Sequence, residues 1–166
     1  SATNVIALRS TISVMGDGFV EAVSNTTLQN IAKGQPSAQR GQVVNVPVLE
    51  RPGTTRIGRF GHKGQQASLL SFSADAYLNE MGITNLVMGH DDFARENTSN
   101  GRPVDAFDPV PDPEDDGEDV EIFARFMRAT KVPPRDTALA ATRDARDGAQ
   151  LFDQIGCDVC HTPAIV

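Results

Sequence analysis

The chain has 166 residues, which is enough for one domain of ordinary size or for parts of two. Its 22 Asp and Glu outnumber its 15 Lys and Arg, and the formal net charge of -7 argues against binding to nucleic acid or to an anionic membrane surface. No run of about 18 apolar residues is present to span a membrane. Fourteen Gly and ten Pro predict short helices joined by long loops.

Two short helices and one hairpin are predicted for the first sixty residues. Residues 15–23 predict a turn that leads into a short helix, and Ser24-Asn25-Thr26 predicts the end of this helix and the cap of a second one. Residues 42–50 and 54–60 predict two strands joined by a Pro-Gly turn. Pro47 lacks the N–H that a central strand needs, so it confines the first strand to an edge.

Three longer helices are predicted from apolar residues at helical spacing. Residues 65–81 form the clearest pattern in the first half, and Gly82 is a typical stop after it. A second helix should follow the acidic cap at 114–116 and end before Pro133. The third covers residues 144–155. The fold class expected is mainly α, with one small β-hairpin.

The region between the first two of these helices is polar. Residues 91–113 predict a long surface connection, and His90, directly before it, should be solvated. The acidic run 112–121 could suggest a Ca²⁺ site, but it lacks the spacing of the EF-hand loop. Helix capping explains these carboxylates without a metal.

The most specific motif lies near the end of the chain. Cys157 and Cys160 are separated by two residues and followed directly by His161, which is the spacing of c-type haem attachment. Both thiols would form thioether bonds to one haem c, and His161 would ligate the iron as its metal ligand. A disulfide would not require the histidine, and a zinc site needs further Cys or His ligands nearby. A thioredoxin-like pair should follow a strand, whereas a helical pattern precedes this one.

The haem pocket is not expected to close within these residues. Gly148 and Phe152 are four residues apart and share a helix face. In c-type cytochromes such a pair lets a later helix cross closely, and only five residues follow His161. We therefore expect the sixth iron ligand to come from beyond Val166, as a methionine, rather than from Met81 or Met88.

Several further segments resemble one family. The chain is similar to the di-haem c-type oxidoreductases of the peroxidase and thiol-oxidoreductase type, which are related to bacterial di-haem cytochrome c peroxidases. The segments that carry the resemblance, besides the haem motif, are Gly18-Phe19-Val20-Glu21-Ala22, Arg59-Phe60-Gly61-His62-Lys63, Ser68-Leu69 and Asn79-Glu80-Met81-Gly82-Ile83-Thr84-Asn85. The resemblance implies a c-type cytochrome fold with a second haem attached upstream of Ser1. It also implies a division into an inter-haem, peroxidatic-side region, 1–135, and the incomplete second haem domain, 136–166.

The same resemblance assigns candidate site residues. Glu80, directly before Met-Gly, matches the distal glutamate of the peroxidatic haem, and Gln66 resembles a pocket glutamine on the same helix. An alternative for Glu80 is an exposed helix-terminal carboxylate with no catalytic role. His62 stands where members of the family usually have Trp, and this chain has no Trp. His62 would therefore either pack in that place or ligate an iron, and it is a candidate cofactor-binding residue.

The function implied is reduction of peroxide or a related oxidant, with electrons from a small redox protein that pass through the haem on Cys157 and Cys160. A plain electron-transfer cytochrome is the main alternative, and a redox-inactive sensor built on the same fold is another. Covalent haem attachment normally takes place outside the cytoplasmic membrane, so a periplasmic or otherwise exported location is expected. The first residues do not resemble a signal peptide, which we expect to have been removed or to lie upstream. The remaining N- and C-terminal parts of the same protein would complete both haem sites.

Overall fold

A computed structural model describes most of the chain. The residues it describes are 10–88, 98–99, 102–103 and 110–165. The prediction for His90 and most of the connection predicted at 91–113 lie outside them. Helix makes up 47% of the structure, which confirms the mainly α fold class. No helix among the described residues is both long and apolar enough to cross a membrane.

Helices account for most of the regular structure. The α-helices of the described part are α1 (Asp17–Ala22), α2 (Asn25–Gly34), α3 (Leu69–Ala76), α4 (Glu118–Ala129), α5 (Thr137–Ala140) and α6 (Arg143–Gln154). A π-helical turn, Tyr77–Met81, continues α3 directly, and single 3-10 turns occur at Ser37–Gln39 and Cys157–Val159.

Side-chain caps fix where the helices start. Ser24 Oγ accepts a hydrogen bond from Thr27 N–H at 3.0 Å, so the predicted cap of α2 is confirmed. Ser68 Oγ accepts from Ser71 N–H in the same way and starts α3 there. The prediction that this helix begins at residue 65, with Gln66 on it, is therefore wrong. Gln66 instead forms an antiparallel β-bridge with Phe60.

The predicted hairpin is confirmed with shorter strands. Strand β1 (Asn45–Pro47) pairs antiparallel with β2 (Thr55–Ile57), and Val46 lies opposite Arg56. Pro47 ends β1, as expected for a residue without an N–H. A second hairpin, β3 (Thr98–Ser99) with β4 (Arg102–Pro103), lies in the region predicted as a loop.

The hydrophobic core lies where α3 and α4 pack together. Leu69 and Ala124 have no exposed surface and contact Phe60 and Met127 in one cluster. A second cluster joins α3 and the π turn to Val120. Removing these apolar surfaces from water provides the main driving force for this arrangement.

Helix α1 lies against the end of α4, and a glycine permits the contact. A Cβ at Gly18 would lie 2.8 Å from the Arg128 carbonyl oxygen and 2.9 Å from Arg128 Cα. Such distances are too short for any side chain, so the two backbones can approach only with glycine at this position.

The segment 136–165 packs differently from the rest. None of the residues of α5 or α6 is buried, although α6 carries several apolar side chains. The side chain of Gln35, at the end of α2, donates through Nε2 to the Val159 carbonyl at 2.9 Å. This hydrogen bond ties the 3-10 turn of the segment to the first part of the chain.

Candidate functional site

The turn after α6 brings the three residues of the Cys-x-x-Cys-His motif together. Gly156 has a positive φ of 79°, which redirects the chain out of α6 and into the 3-10 turn. The Cys157 carbonyl then accepts from Cys160 N–H at 3.2 Å and from His161 N–H at 2.9 Å. Both thiols are free, and the imidazole is exposed. A single hydrogen-bonded turn therefore presents two thiols and one imidazole.

Exposed apolar side chains lie on the helix that leads into this turn. The Phe152 ring lies edge-on to the His161 ring, with 5.6 Å between the centroids. The Leu151 and Ile155 side chains remain 55% and 67% exposed, and nothing lies within 4 Å of the Cβ position of Gly148. Isolated apolar residues are common on surfaces, but here several lie on the helix that leads directly into the turn with the free thiols and the imidazole. A large, flat and mostly apolar group such as haem fits this combination of thiols, imidazole and uncovered apolar surface.

Gln35 holds the same turn from the other side. Its Oε1 accepts from Gly41 N–H at 2.7 Å while its Nε2 donates to Val159, between the two cysteines. Because both ends of the amide are engaged, the side chain is fixed in one orientation. Sequence reasoning did not identify Gln35, since no local pattern links it to a turn 124 residues later.

Glu80 lies on the π turn at the other end of the helical segment that starts at Leu69. Glu80 is exposed, as are Met81 next to it and Leu86 further along the chain, at 55% and 59%. Gly82, with a φ of 76°, stops the helix as predicted. The alternative of an exposed helix-terminal carboxylate remains compatible with this geometry. π turns are nevertheless rare and occur frequently at functional sites.

The residues after the π turn form a polar network with the start of α4. Thr84 N–H donates to the Glu114 carboxylate at 3.2 Å, and Glu114 N–H donates to Thr84 Oγ1 at 3.1 Å. The Thr84 hydroxyl also donates to the Asp112 carboxylate. The Asp115 carboxylate accepts from Asp119 N–H at 3.3 Å, in the first turn of α4, and so caps this helix. The acidic residues of this region thus act as caps and tethers, which agrees with the capping prediction.

His62 and Gln66 lie on the short loop before α3. His62 is exposed in a turn, whereas Gln66 is buried, with 7% of its surface accessible. The Gln66 backbone pairs with Phe60 in both directions, at 3.0 and 3.1 Å. Gln66 precedes α3, whereas Glu80 lies on the π turn that follows it, so the eight residues of α3, about 12 Å of helix, lie between them. The structure therefore does not bring these two candidate catalytic residues together.

Arg59, on the same loop, is packed against the end of α1. Its guanidinium donates to the carbonyls of Val23 and Ile57 and to Asn25 Oδ1, the last at 3.1 Å. The Arg59 Nε is buried without a partner in the described part of the chain. Burial, and after it the nearby charge of Arg56, lowers the pKa of Arg59. The arginine of the Arg-Phe-Gly segment thus fixes the loop that bears His62 to α1 and α2.

The model of one protein family, described as "Di-haem oxidoreductase, putative peroxidase", matches residues 3–166. This chain belongs to the di-haem oxidoreductase family. Searches of the curated proteins and of the solved structures found no significant match. The family resemblance expected from the sequence is therefore confirmed, and it implies haem cofactors and an oxidant as reaction partner. The turn at 157–161 is where the residues of this di-haem oxidoreductase fit such a cofactor.

Proposed function

We propose that this chain is the part of a di-haem peroxidase that connects two haems and carries one of them. The thiols of Cys157 and Cys160 would hold that haem covalently, and His161 would ligate its iron. The arrangement of these three side chains on one turn is the observation that carries the proposal. Phe152, in contact with the His161 ring, would hold the imidazole in orientation.

The reaction proposed is the reduction of hydrogen peroxide to two waters, which consumes two electrons and two protons. The second haem, attached elsewhere in the protein, would supply the iron site at which peroxide binds. Glu80 would accept a proton from the near oxygen of peroxide and donate it to the departing oxygen, which leaves as water. The exposure of Glu80 on the π turn, next to exposed Met81, fits contact with a partner domain that bears this second haem.

Electrons would enter from a small redox protein at the haem on Cys157 and Cys160. The acidic net charge of -7 favours a donor with a basic surface. Covalent haem attachment further supports maturation and function in the periplasm or another exported compartment. His62 is proposed to occupy the position between the haems that Trp has in relatives, held there through Arg59.

The first test addresses haem attachment. The protein matured in an oxidising compartment should carry a covalent haem on the peptide that contains residues 157–161, seen by pyridine haemochrome spectra and by peptide mass. Replacing Cys157 and Cys160 with Ala should remove that haem and leave the upstream one. Unmodified thiols on the mature peptide, or a bound zinc ion, would contradict the assignment.

The second test addresses Glu80 in the di-haem protein. Glu80→Gln keeps the size and hydrogen-bonding ability of the side chain but removes the base. Peroxide turnover should fall by about 10²–10⁴-fold, while haem content and reduction by the electron donor stay unchanged. Glu118→Gln, at an exposed position on α4, is the matched control and should retain activity. Full peroxide turnover in Glu80→Gln would show that Glu80 is an exposed residue without a catalytic role. Absence of peroxide turnover in the native protein would favour a plain electron-transfer cytochrome.

A further inference from the structure

Asn85 is a polar residue with no exposed surface. Its amide is used at both ends: Nδ2 donates to the Ala74 carbonyl at 3.0 Å, and Oδ1 accepts from Met88 N–H at 3.0 Å. A buried amide is stabilising only when it is hydrogen-bonded, so these two hydrogen bonds limit which side chains can replace asparagine at position 85. The proposed acid–base step does not use this side chain.

The acceptor of this bond lies at the junction between α3 and the π turn. Ala74 lies in the last turn of α3, and the π turn continues the helix directly after Ala76. Tyr77 N–H, the first of the π turn, donates to Ser73 and Ala74 together. At the far end, Ile83 N–H donates to the Tyr77 carbonyl at 3.0 Å and closes the wide turn. Asn85 thus folds back and donates to a carbonyl at the point where helical geometry changes.

Asn85 is itself anchored outside α3. It forms a parallel β-bridge with Asp115, and Asp115 N–H donates to the Thr84 carbonyl at 3.0 Å. Asp115 also caps α4 through its carboxylate. The amide therefore joins the end of α3 to the start of α4, the two helices that form the core.

We propose that Asn85 is a positioning residue that maintains the π turn and thereby sets the direction of Glu80. This inference rests on the proposed function of Glu80. A turn that reverted to regular α-helix would hold one residue fewer and would rotate the residues after it by up to about 100° around the axis. Glu80 would then point in a different direction from the one it has on the π turn.

The test uses the full di-haem protein, three single variants and one double variant that combines Asn85→Ala with Glu80→Gln. Asn85→Ala removes both hydrogen bonds, and Asn85→Asp keeps an acceptor for Met88 while changing the group that faces Ala74. Ser73→Ala is the matched control: it removes a buried side-chain hydrogen bond, from Ser73 Oγ to the Leu69 carbonyl at 2.9 Å one turn earlier in α3, and leaves the backbone carbonyl of Ser73 at the junction in place. Amide hydrogen exchange of residues 77–83, peroxide kinetics and haem content are measured for each.

We expect the amides of the π turn to exchange about five- to tenfold faster in Asn85→Ala and to keep their native rates in Ser73→Ala. The kcat for peroxide should fall by about 10–100-fold at unchanged haem content. In Asn85→Asp, the protonated carboxyl group can still donate a hydrogen bond to the Ala74 carbonyl, but the ionised form cannot. Activity should therefore fall as the pH rises and this carboxyl group ionises, a pH dependence that the native protein lacks. The double variant Glu80→Gln/Asn85→Ala should be no slower than Glu80→Gln alone, since both act through one group.

Two results would overturn the inference: native exchange rates in the turn of Asn85→Ala, or a double variant that is slower by the product of the single effects. If Asn85→Ala fails to fold, the pH profile of Asn85→Asp decides, and a profile identical to the native one rejects the role. Full turnover in Glu80→Gln would refute the proposed function instead. The exchange rates would then still show whether Asn85 maintains the turn.

Discussion

Glu21 links three helices through one carboxylate. Its oxygens accept from Leu69 N–H at 2.8 Å and from two nitrogens of Arg128, at 2.7 and 3.0 Å. Burial alone would raise the pKa of Glu21, but the hydrogen bonds from Arg128 and Leu69, with the charges of Arg128 and Arg56, outweigh it and lower the pKa. The ionised carboxylate is therefore the form that stabilises the junction of α1, α3 and α4.

Replacing Glu21 with Gln should lower the free energy of unfolding by about 1–3 kcal/mol at neutral pH, because two charge-assisted hydrogen bonds are lost. A carboxylate with a depressed pKa stabilises the fold above its unfolded-state pKa, and this contribution disappears as the pH falls through the folded-state pKa. The difference between native protein and Glu21→Gln should thus shrink below about pH 4. Urea unfolding of both proteins at several pH values measures this difference in the free energy of unfolding.

Glu121→Gln is the matched control, since Glu121 pairs with Arg125 at 2.9 Å on the surface of α4, where the Arg125 side chain is 73% exposed. Such pairs contribute about 0.3–0.5 kcal/mol, so this variant should be close to native. An equal loss in both variants would show that Glu21 acts as an ordinary surface charge.

Among the secondary-structure elements, the structure confirms those predicted features that depend only on residues close together in the sequence. Ser24 and Gly82 mark helix ends because capping depends on a few adjacent backbone groups. The apolar spacing likewise predicted α4 and α6 to within a few residues of their ends.

The features that sequence reasoning missed depend on distant partners. The β-bridge of Gln66 with Phe60 shortens the predicted helix, and Asn85 bonds across eleven residues to Ala74 in the last turn of α3. The Glu21–Arg128 pair is separated by 107 residues. A periodic pattern contains no information about such contacts, and the polar residues that form them look like ordinary surface residues in the sequence.

The crossing of α1 over α4 gives a test at this scale. Gly18→Ala would place a methyl group against the Arg128 backbone and should destabilise the protein by about 1–3 kcal/mol, as overpacking does. Gly34→Ala, at the end of α2 with nothing within 4 Å, should instead leave stability unchanged or raise it by up to about 1 kcal/mol. Thermal unfolding followed by circular dichroism compares the two. If both variants unfolded at the same temperature, α1 and α4 would be able to move apart without loss of stability, and the close contact at Gly18 would be unimportant.

For the whole molecule, burial differs between the core around α3 and α4 and the segment 136–165. The core buries large side chains such as Leu69 and Val120 completely, while α6 buries none. Helices in proteins are stabilised mainly by packing of an apolar face, so α6 needs a covering surface to be stable. The haem, together with a further element of the protein that crosses at Gly148, is the cover that we expect.

A side chain at Gly148 should either raise or lower the stability of the protein, depending on whether another element crosses α6 at this position. If α6 stays uncovered, Gly148→Leu should stabilise the helix by roughly 0.8–1 kcal/mol, since Gly is a poor helix former. If another backbone packs at Gly148 in the haem-loaded protein, the same change should destabilise it by about 1–3 kcal/mol. We expect destabilisation, measured by thermal loss of the haem absorption band. Ala149→Leu, on the exposed neighbouring position, is the control and should be nearly neutral, because Ala and Leu have similar helix propensities.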